Sequence, residues 1–125
     1  MKLLLDTHTV IWWFIKDRKL SKQAKDVINR PESLVYVSTV SAWEIMIKKS
    51  IRKLHAPENF EEEMDSHHFI RLPITNHHAY ALDKIPYIHY DPFDRMLIAQ
   101  ALAENLTLVT RDSNIRKYNV PVIVA

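Results

Sequence analysis

Short apolar runs alternate with helical segments along this chain, and that alternation restricts the fold more than any other feature. Lys2–Leu5 ends abruptly at Asp6, Leu34–Val37 is β-branched, and Leu106–Thr110 and Val120–Val124 have the same form. Phe69–Leu72 is a shorter candidate strand. Between these runs, apolar residues recur at helical spacing. Thr7–Ile15 is apolar nearly all round, with Trp12, Trp13 and Phe14. A segment opened by Ser21 and closed by Pro31 carries Ala24, Val27 and Ile28, and Ser38–Ser50 carries Ala42, Ile45 and Met46 on one face. Pro57 starts a helix to about Ser66, with Phe60 and Met64 one turn apart, and Thr75 caps another through Asp83. Strands alternating with helices predict an α/β fold, a three-layer α/β/α sandwich with a central parallel sheet. Pro121 fits only the start of a strand or an edge.

The clearest helix start is Tyr90-Asp91-Pro92-Phe93-Asp94. Asp91 reads as the N-cap, and Pro92 sits at the first helical position, where its missing N–H is harmless. Asp94, at the third position, has the placement to reach back as in a capping box. At 125 residues and 47% hydrophobic content, residues 1–125 are expected to form a single domain with its own core, with no repeat, low-complexity segment or linker.

Composition removes several functional classes. There are no cysteines, so thiolate metal sites and disulfides are excluded and a reducing, cytoplasmic setting is expected. There is no glycine, which excludes a Gly-rich phosphate loop or dinucleotide fingerprint. No apolar run approaches the roughly 20 residues of a membrane span, and Asp6 cuts Met1–Leu5 short of a signal-peptide core. The net charge of +2 says little by itself. Lys48, Lys49, Arg52 and Lys53 form the densest basic cluster, either a solvated helix end or a nucleic-acid contact.

Each notable acid has a local structural explanation. Asp6 reads as an N-cap, Ser41-Ala42-Trp43-Glu44 matches a capping box, and Asp112 suits a turn. Their joint placement points elsewhere. Asp6 follows the first strand, Glu44 lies in the helix after the second, Asp94 opens a later helix, and Asp112 follows the strand ending at Thr110. In an open parallel sheet the carboxyl ends of the strands share one edge, where ligands bind, so these four acids are expected to meet there. Such a group needs basic side chains, protons or a hard cation. Oxygen donors without Cys or spaced His select Mg2+ or Mn2+ over zinc. The adjacent pairs His67-His68 and His77-His78 lack the i, i+4 spacing of a zinc motif and read as surface or partly buried structural residues. Carboxylate-held magnesium suits phosphoryl transfer, and Thr110 and Ser38, small hydroxyls at strand ends, either position a water or phosphate oxygen or act as caps.

Four blocks, Leu3-Leu4-Leu5-Asp6-Thr7-His8, Ser41-Ala42-Trp43-Glu44-Ile45, Asp91 to Ala101, and Leu108-Val109-Thr110-Arg111-Asp112, together resemble the PIN domain, specifically the VapC-type toxins of bacterial toxin–antitoxin pairs. The resemblance implies a homodimeric endoribonuclease dependent on Mg2+ or Mn2+. By position Asp6, Glu44 and Asp94 match the family's invariant acids, Asp112 the fourth and more variable one, and Thr110 the hydroxyl residue that often accompanies it. It also implies a cognate antitoxin that plugs the site, with DNA contacted only through the toxin–antitoxin complex. Tyr90 departs from the Arg common in relatives and has a ring suited to stacking on a base. The alternatives are a PIN-like module that binds RNA or protein without cutting, and a phospho-acceptor domain, which is disfavoured because the late strand ends in Thr110 where Lys is needed.

Overall fold

A computed structural model describes residues 1–51 and 53–125. Five strands, β1 (Lys2–Leu5), β2 (Leu34–Ser38), β3 (Ile70–Leu72), β4 (Thr107–Thr110) and β5 (Val122–Val124), form one sheet in the order β3-β2-β1-β4-β5. All four pairings are parallel, with Leu3 opposite Val35 on one side and Thr107 on the other. The helices are α1 (Thr7–Ile15), α2 (Lys22–Asn29), α3 (Thr39–Ser50), α4 (Phe60–Ser66), α5 (Asn76–Ala81) and α6 (Pro92–Glu104). This is the expected α/β/α sandwich.

Period-two alternation along β1 divides the core. Leu3 and Leu5 pack with Val10, Phe14, Val27 and Met64 under α1, α2 and α4. Leu4 faces the other way, with Leu72, Leu97, Ile98 and Leu108 under α5 and α6. Complete burial of three successive leucines is what a doubly covered parallel strand requires. The chain leaves β1 in one direction for β2 and β3 and in the other for β4 and β5. The switch point therefore lies between β1 and β4, and their carboxyl ends flank a crevice.

Local chemistry sets the helix starts. The side chains of Asp6, Ser21, Ser38, Thr75 and Asp91 accept from the N–H groups of Thr9, Ala24, Val40, His78 and Phe93. In the absence of glycine, α1 and α6 close on Lys16 and Asn105, both left-handed at φ 56°. Several expected boundaries move. The fourth helix begins at Phe60, not Pro57; the fifth ends at Ala81 and passes into a 3-10 turn, Leu82–Lys84; and β5 begins at Val122, on the edge where Pro121 is tolerated. The buried face of α3 is Val40, Ser41, Glu44 and Ile45, whereas Met46 is exposed. Spacing alone favoured the apolar stripe. Of that stripe Ile45 is buried and Met46 is not, and the buried face is shared with the row that carries Glu44, which lines the crevice. Of the basic cluster, Lys49 and Lys53 are exposed, Lys48 turns toward the crevice, and Arg52 lies outside the described residues.

Candidate active site at the carboxyl edge of the sheet

The crevice is a cleft of about 340 Å3 lined by Asp6, Glu44, Asp91, Asp94 and Asp112, with Thr7, His8, Trp12, Lys48 and Arg111 completing its walls. All four acids expected from the strand order thus reach one cleft. Asp91 joins them as a fifth.

Asp6, one residue beyond β1, is nearly buried and has both carboxylate oxygens engaged. Oδ1 accepts from the Thr9 N–H at 2.9 Å, capping α1, and Oδ2 accepts the Thr110 hydroxyl. Thr110 ends β4, and its Oγ1 also accepts the Asp112 N–H at 3.0 Å, so one hydroxyl ties Asp6 to the Asp112 turn across the switch point. Burial pushes the Asp6 carboxyl above its ordinary value, against the opposing pull of the Thr110 and Thr9 bonds and the charge of His8. Ser38, the other strand-end hydroxyl, caps α3.

Glu44 is 3% exposed. The capping-box reading of Ser41 and Glu44 fails, since Ser38 is the cap and Ser41 is a buried interior residue. Glu44 Oε1 accepts the Thr7 hydroxyl at 2.5 Å, and Oε2 pairs with Lys48 one turn on. Burial pulls the Lys48 ammonium down, but the Glu44 bond and the charges of Glu44, Asp91 and Asp94 outweigh it and hold it above its usual value. The i, i+4 spacing of Glu44 and Lys48 was visible in the sequence, where Lys48 had been grouped with the exposed basic cluster.

Asp91 and Asp94 divide the work at the start of α6. Asp91 Oδ1 accepts from both the Phe93 and Asp94 N–H groups, at 2.9 and 3.0 Å. Asp94 does not reach back to Asp91; its Oδ2 meets His89 Nε2 at 3.3 Å. Burial first, then the charges of Asp91, Asp112, Glu44 and Asp6, push the Asp94 carboxyl up to about 8. Asp112 is exposed, and its Oδ1 accepts from the Asn114 and Ile115 N–H groups, shaping the turn after β4.

Shared placement is not yet ligation. Among the described residues no three carboxylate or imidazole groups stand close enough to hold a metal ion together. Asp6 and Glu44 have both oxygens committed to protein donors. The chemistry of the set still fits a hard divalent cation. Every candidate donor is a carboxylate oxygen, and burial makes Asp6 and Asp94 both resist ionisation, Asp94 further through the charges of the neighbouring acids. Sequence reasoning passed over Thr7, Lys48 and His89, each bonded directly to a cleft acid. It also left His78 at most partly buried, whereas it is 1% exposed, its ring meeting the Thr75 N–H and Glu104.

A parallel sheet sandwiched between helices, with an acidic cleft at its topological switch point, defines the class as an α/β/α protein with a carboxylate site at the strand ends. The profile of the PIN domain matches residues 3–121, and the chain belongs to that family. It is 27% identical over 122 residues to ribonuclease VapC22 of Mycobacterium tuberculosis, covering 95% of this chain and 93% of that one. Among solved structures, DNA-bound VapBC from Salmonella typhimurium superposes with a TM-score of 0.70 at 20% identity, covering 98% of this chain and 97% of that one. A toxin–antitoxin complex from Klebsiella pneumoniae gives 0.65 at 21%, covering 98% and 96%. At these identities the two structures speak for the fold alone. Among the described residues no helix is long and apolar enough to cross a membrane.

Proposed function

We propose that residues 1–125 form a single PIN domain acting as a metal-dependent endoribonuclease toxin held in check by a cognate antitoxin. The observation that carries this reading is the five-carboxylate cleft at the switch point, in which Asp94 is pushed up to about 8. A cleft in which carboxylates outnumber cations suits a divalent cation, Mg2+ or Mn2+, held by Asp6, Glu44, Asp94 and Asp112. When bound, such an ion supplies a stronger attacking water and charge neutralisation at a phosphodiester. The chain's own residues orient the set. Thr110 fixes Asp6 and the Asp112 turn, Thr7 and Lys48 hold Glu44, and Asp91 starts the helix that presents Asp94. Hydrolysis adds water across the bond and leaves 5′-phosphate and 3′-hydroxyl ends.

Lys48 and Arg111 give the cleft wall positive charge for the RNA backbone, and half-buried Trp12, with Arg111 4.9 Å from its ring centre, offers a surface for a base. The toxin–antitoxin neighbour supports a protein inhibitor, with DNA met only through that complex in the cytoplasm. Exposed Trp43, Met46 and Ile47 on the outer face of α3 support a homodimer, which sedimentation of the purified chain tests. Mapping new 5′-phosphate ends across cellular RNA after induction tests the activity and finds the target. Asp6→Asn and Asp94→Asn are expected to abolish both cleavage and growth inhibition, and unchanged cleavage by a metal-stripped, acid-substituted protein would refute the proposal.

One observation favours a second reading, a non-catalytic PIN-like module that binds RNA or protein: among the described residues the acids stand apart from ligating geometry. A titration showing Mn2+ binding with no RNA cleavage supports that reading.

A further inference from the structure

His89 belongs to none of the blocks that carry the family resemblance, yet among the described residues its side chain is the one bonded to the Asp94 carboxyl. It sits in the segment between the 3-10 turn and α6, with a side chain 12% exposed. Its neighbours form a closed set of hydrogen bonds. Tyr118, 6% exposed, follows the short turn Ile115–Lys117 that Asp112 caps. The Tyr118 hydroxyl lies 3.1 Å from the His89 backbone N–H, 2.8 Å from His89 Nδ1 and 3.3 Å from the Arg95 guanidinium. Arg95, the residue after Asp94, is 5% exposed and also donates to the carbonyls of Pro86 and Ile85, fixing the segment that carries His89.

Counting donors assigns the ring nitrogens. A phenol has one proton and two lone pairs. The Arg95 and His89 N–H groups donate into the Tyr118 oxygen, so its own proton goes to the nearest acceptor, His89 Nδ1, in preference to the His89 carbonyl at 3.4 Å. Nδ1 is then an acceptor and Nε2 carries the hydrogen, which donates to Asp94 Oδ2. Oδ1 stays clear of this bond.

Building on the metal-dependent reading above, we infer that Arg95, Tyr118 and His89 form a strut that sets the orientation of Asp94, with His89 as the positioning residue that engages Oδ2 and leaves Oδ1 to the cation. The strut also links two of the cleft's acids, Asp94 and Asp112. Asp112 caps the turn leading to Tyr118, Tyr118 holds His89, and His89 holds Asp94. Partners of this kind behind a ligand typically change metal affinity about 10–100-fold when removed.

The test measures Mn2+ binding to the full chain by electron paramagnetic resonance, beside RNA cleavage and a melting curve for each variant. His89→Ala is expected to weaken Mn2+ binding about tenfold and to lower kcat with KM for RNA unchanged. In His89→Gln the side-chain amide nitrogen reaches the region of Nε2, so this variant is expected to recover most of the affinity. Tyr118→Phe keeps the buried ring, loses only the hydroxyl, and is expected to weaken Mn2+ binding in the same direction. Wild-type protein that binds Mn2+ while His89→Ala and Tyr118→Phe match it within about twofold, well below the effect cited, would overturn the strut and leave the nuclease reading standing. Wild-type protein that binds no Mn2+ would overturn both.

Discussion

Replacing Asp94 with Asn removes a charge that the folded site resists, so the metal-free variant is expected to be the more stable protein. Moving a carboxyl from 3.8 to about 8 corresponds to roughly 6 kcal/mol at about 1.4 kcal/mol per pH unit. With the side chain 19% exposed, solvent screening and relaxation reduce that to about 2–4 kcal/mol. The sign follows from proton counting. Between about pH 4 and 8 the folded protein keeps a proton on Asp94 that the unfolded chain has released, so wild-type stability falls as pH rises. The advantage of the protonated group is whole below the unfolded value near 4 and gone above about 8. Asn mimics the protonated state at every pH, and its oxygen still accepts from His89. Urea unfolding in chelator should therefore show the variant ahead by about 1 kcal/mol at pH 5 and by about 2–4 kcal/mol at pH 8. Adding Mg2+ at pH 8 should raise the stability of the wild type and leave the variant unchanged. A gain that does not grow with pH, or a variant weaker than wild type at pH 8, would refute the electrostatic account of the cleft.

Other substitutions separate capping from ligation. Asp91→Asn preserves an equally good N-cap while relieving Asp94 of its largest repulsive charge, so cleavage should persist and metal-free stability at pH 8 should rise; Asp91→Ala should instead lose about 1 kcal/mol in thermal melts. Thr110→Val strips Asp6 of a hydrogen bond and leaves the Asp112 N–H without its acceptor, costing about 1–3 kcal/mol by urea titration and reducing cleavage, with Thr110→Ser restoring both. Lys16→Gly relieves the left-handed closure of α1 and should add about 1 kcal/mol, seen as a rise of a few degrees in Tm with cleavage unchanged.

Much of the fold was legible because its signals are local. Lys2–Leu5 shows as a strand by its apolar run, Asp6 stops it, and the caps at Ser21, Thr75 and Asp91 announce their helices through side-chain chemistry that operates within three residues. Where tertiary packing decides, the sequence misleads. Met46 lies in the more apolar row of α3, but the sheet edge calls for the row bearing Glu44, so the helix turns Met46 to solvent. The acids of the cleft were readable because strand ends in a parallel sheet share an edge. Their partners were not. Thr7 meets Glu44 across 37 positions of sequence, and Tyr118 meets His89 across 29, separations at which no periodicity carries information.

The hydrogen-bond inventory explains how four acids share a cleft without converging on one point. Glu44 has both oxygens bound, one by Thr7 and one by Lys48, and Asp6 has both bound by Thr9 and Thr110. Those donors make burial of the two carboxylates tolerable, because an unsatisfied buried charge would cost several kcal/mol. Asp94 and Asp112 differ. Each commits one oxygen, to His89 and to the turn after β4, and among the described residues the other oxygen has no protein donor. The half-committed acids come from α6 and from the turn after β4, the fully committed pair from the end of β1 and from α3. On the metal-dependent reading proposed above, Asp94 would give up its proton to receive a cation, Glu44 would exchange Lys48 and Asp6 would share Thr110.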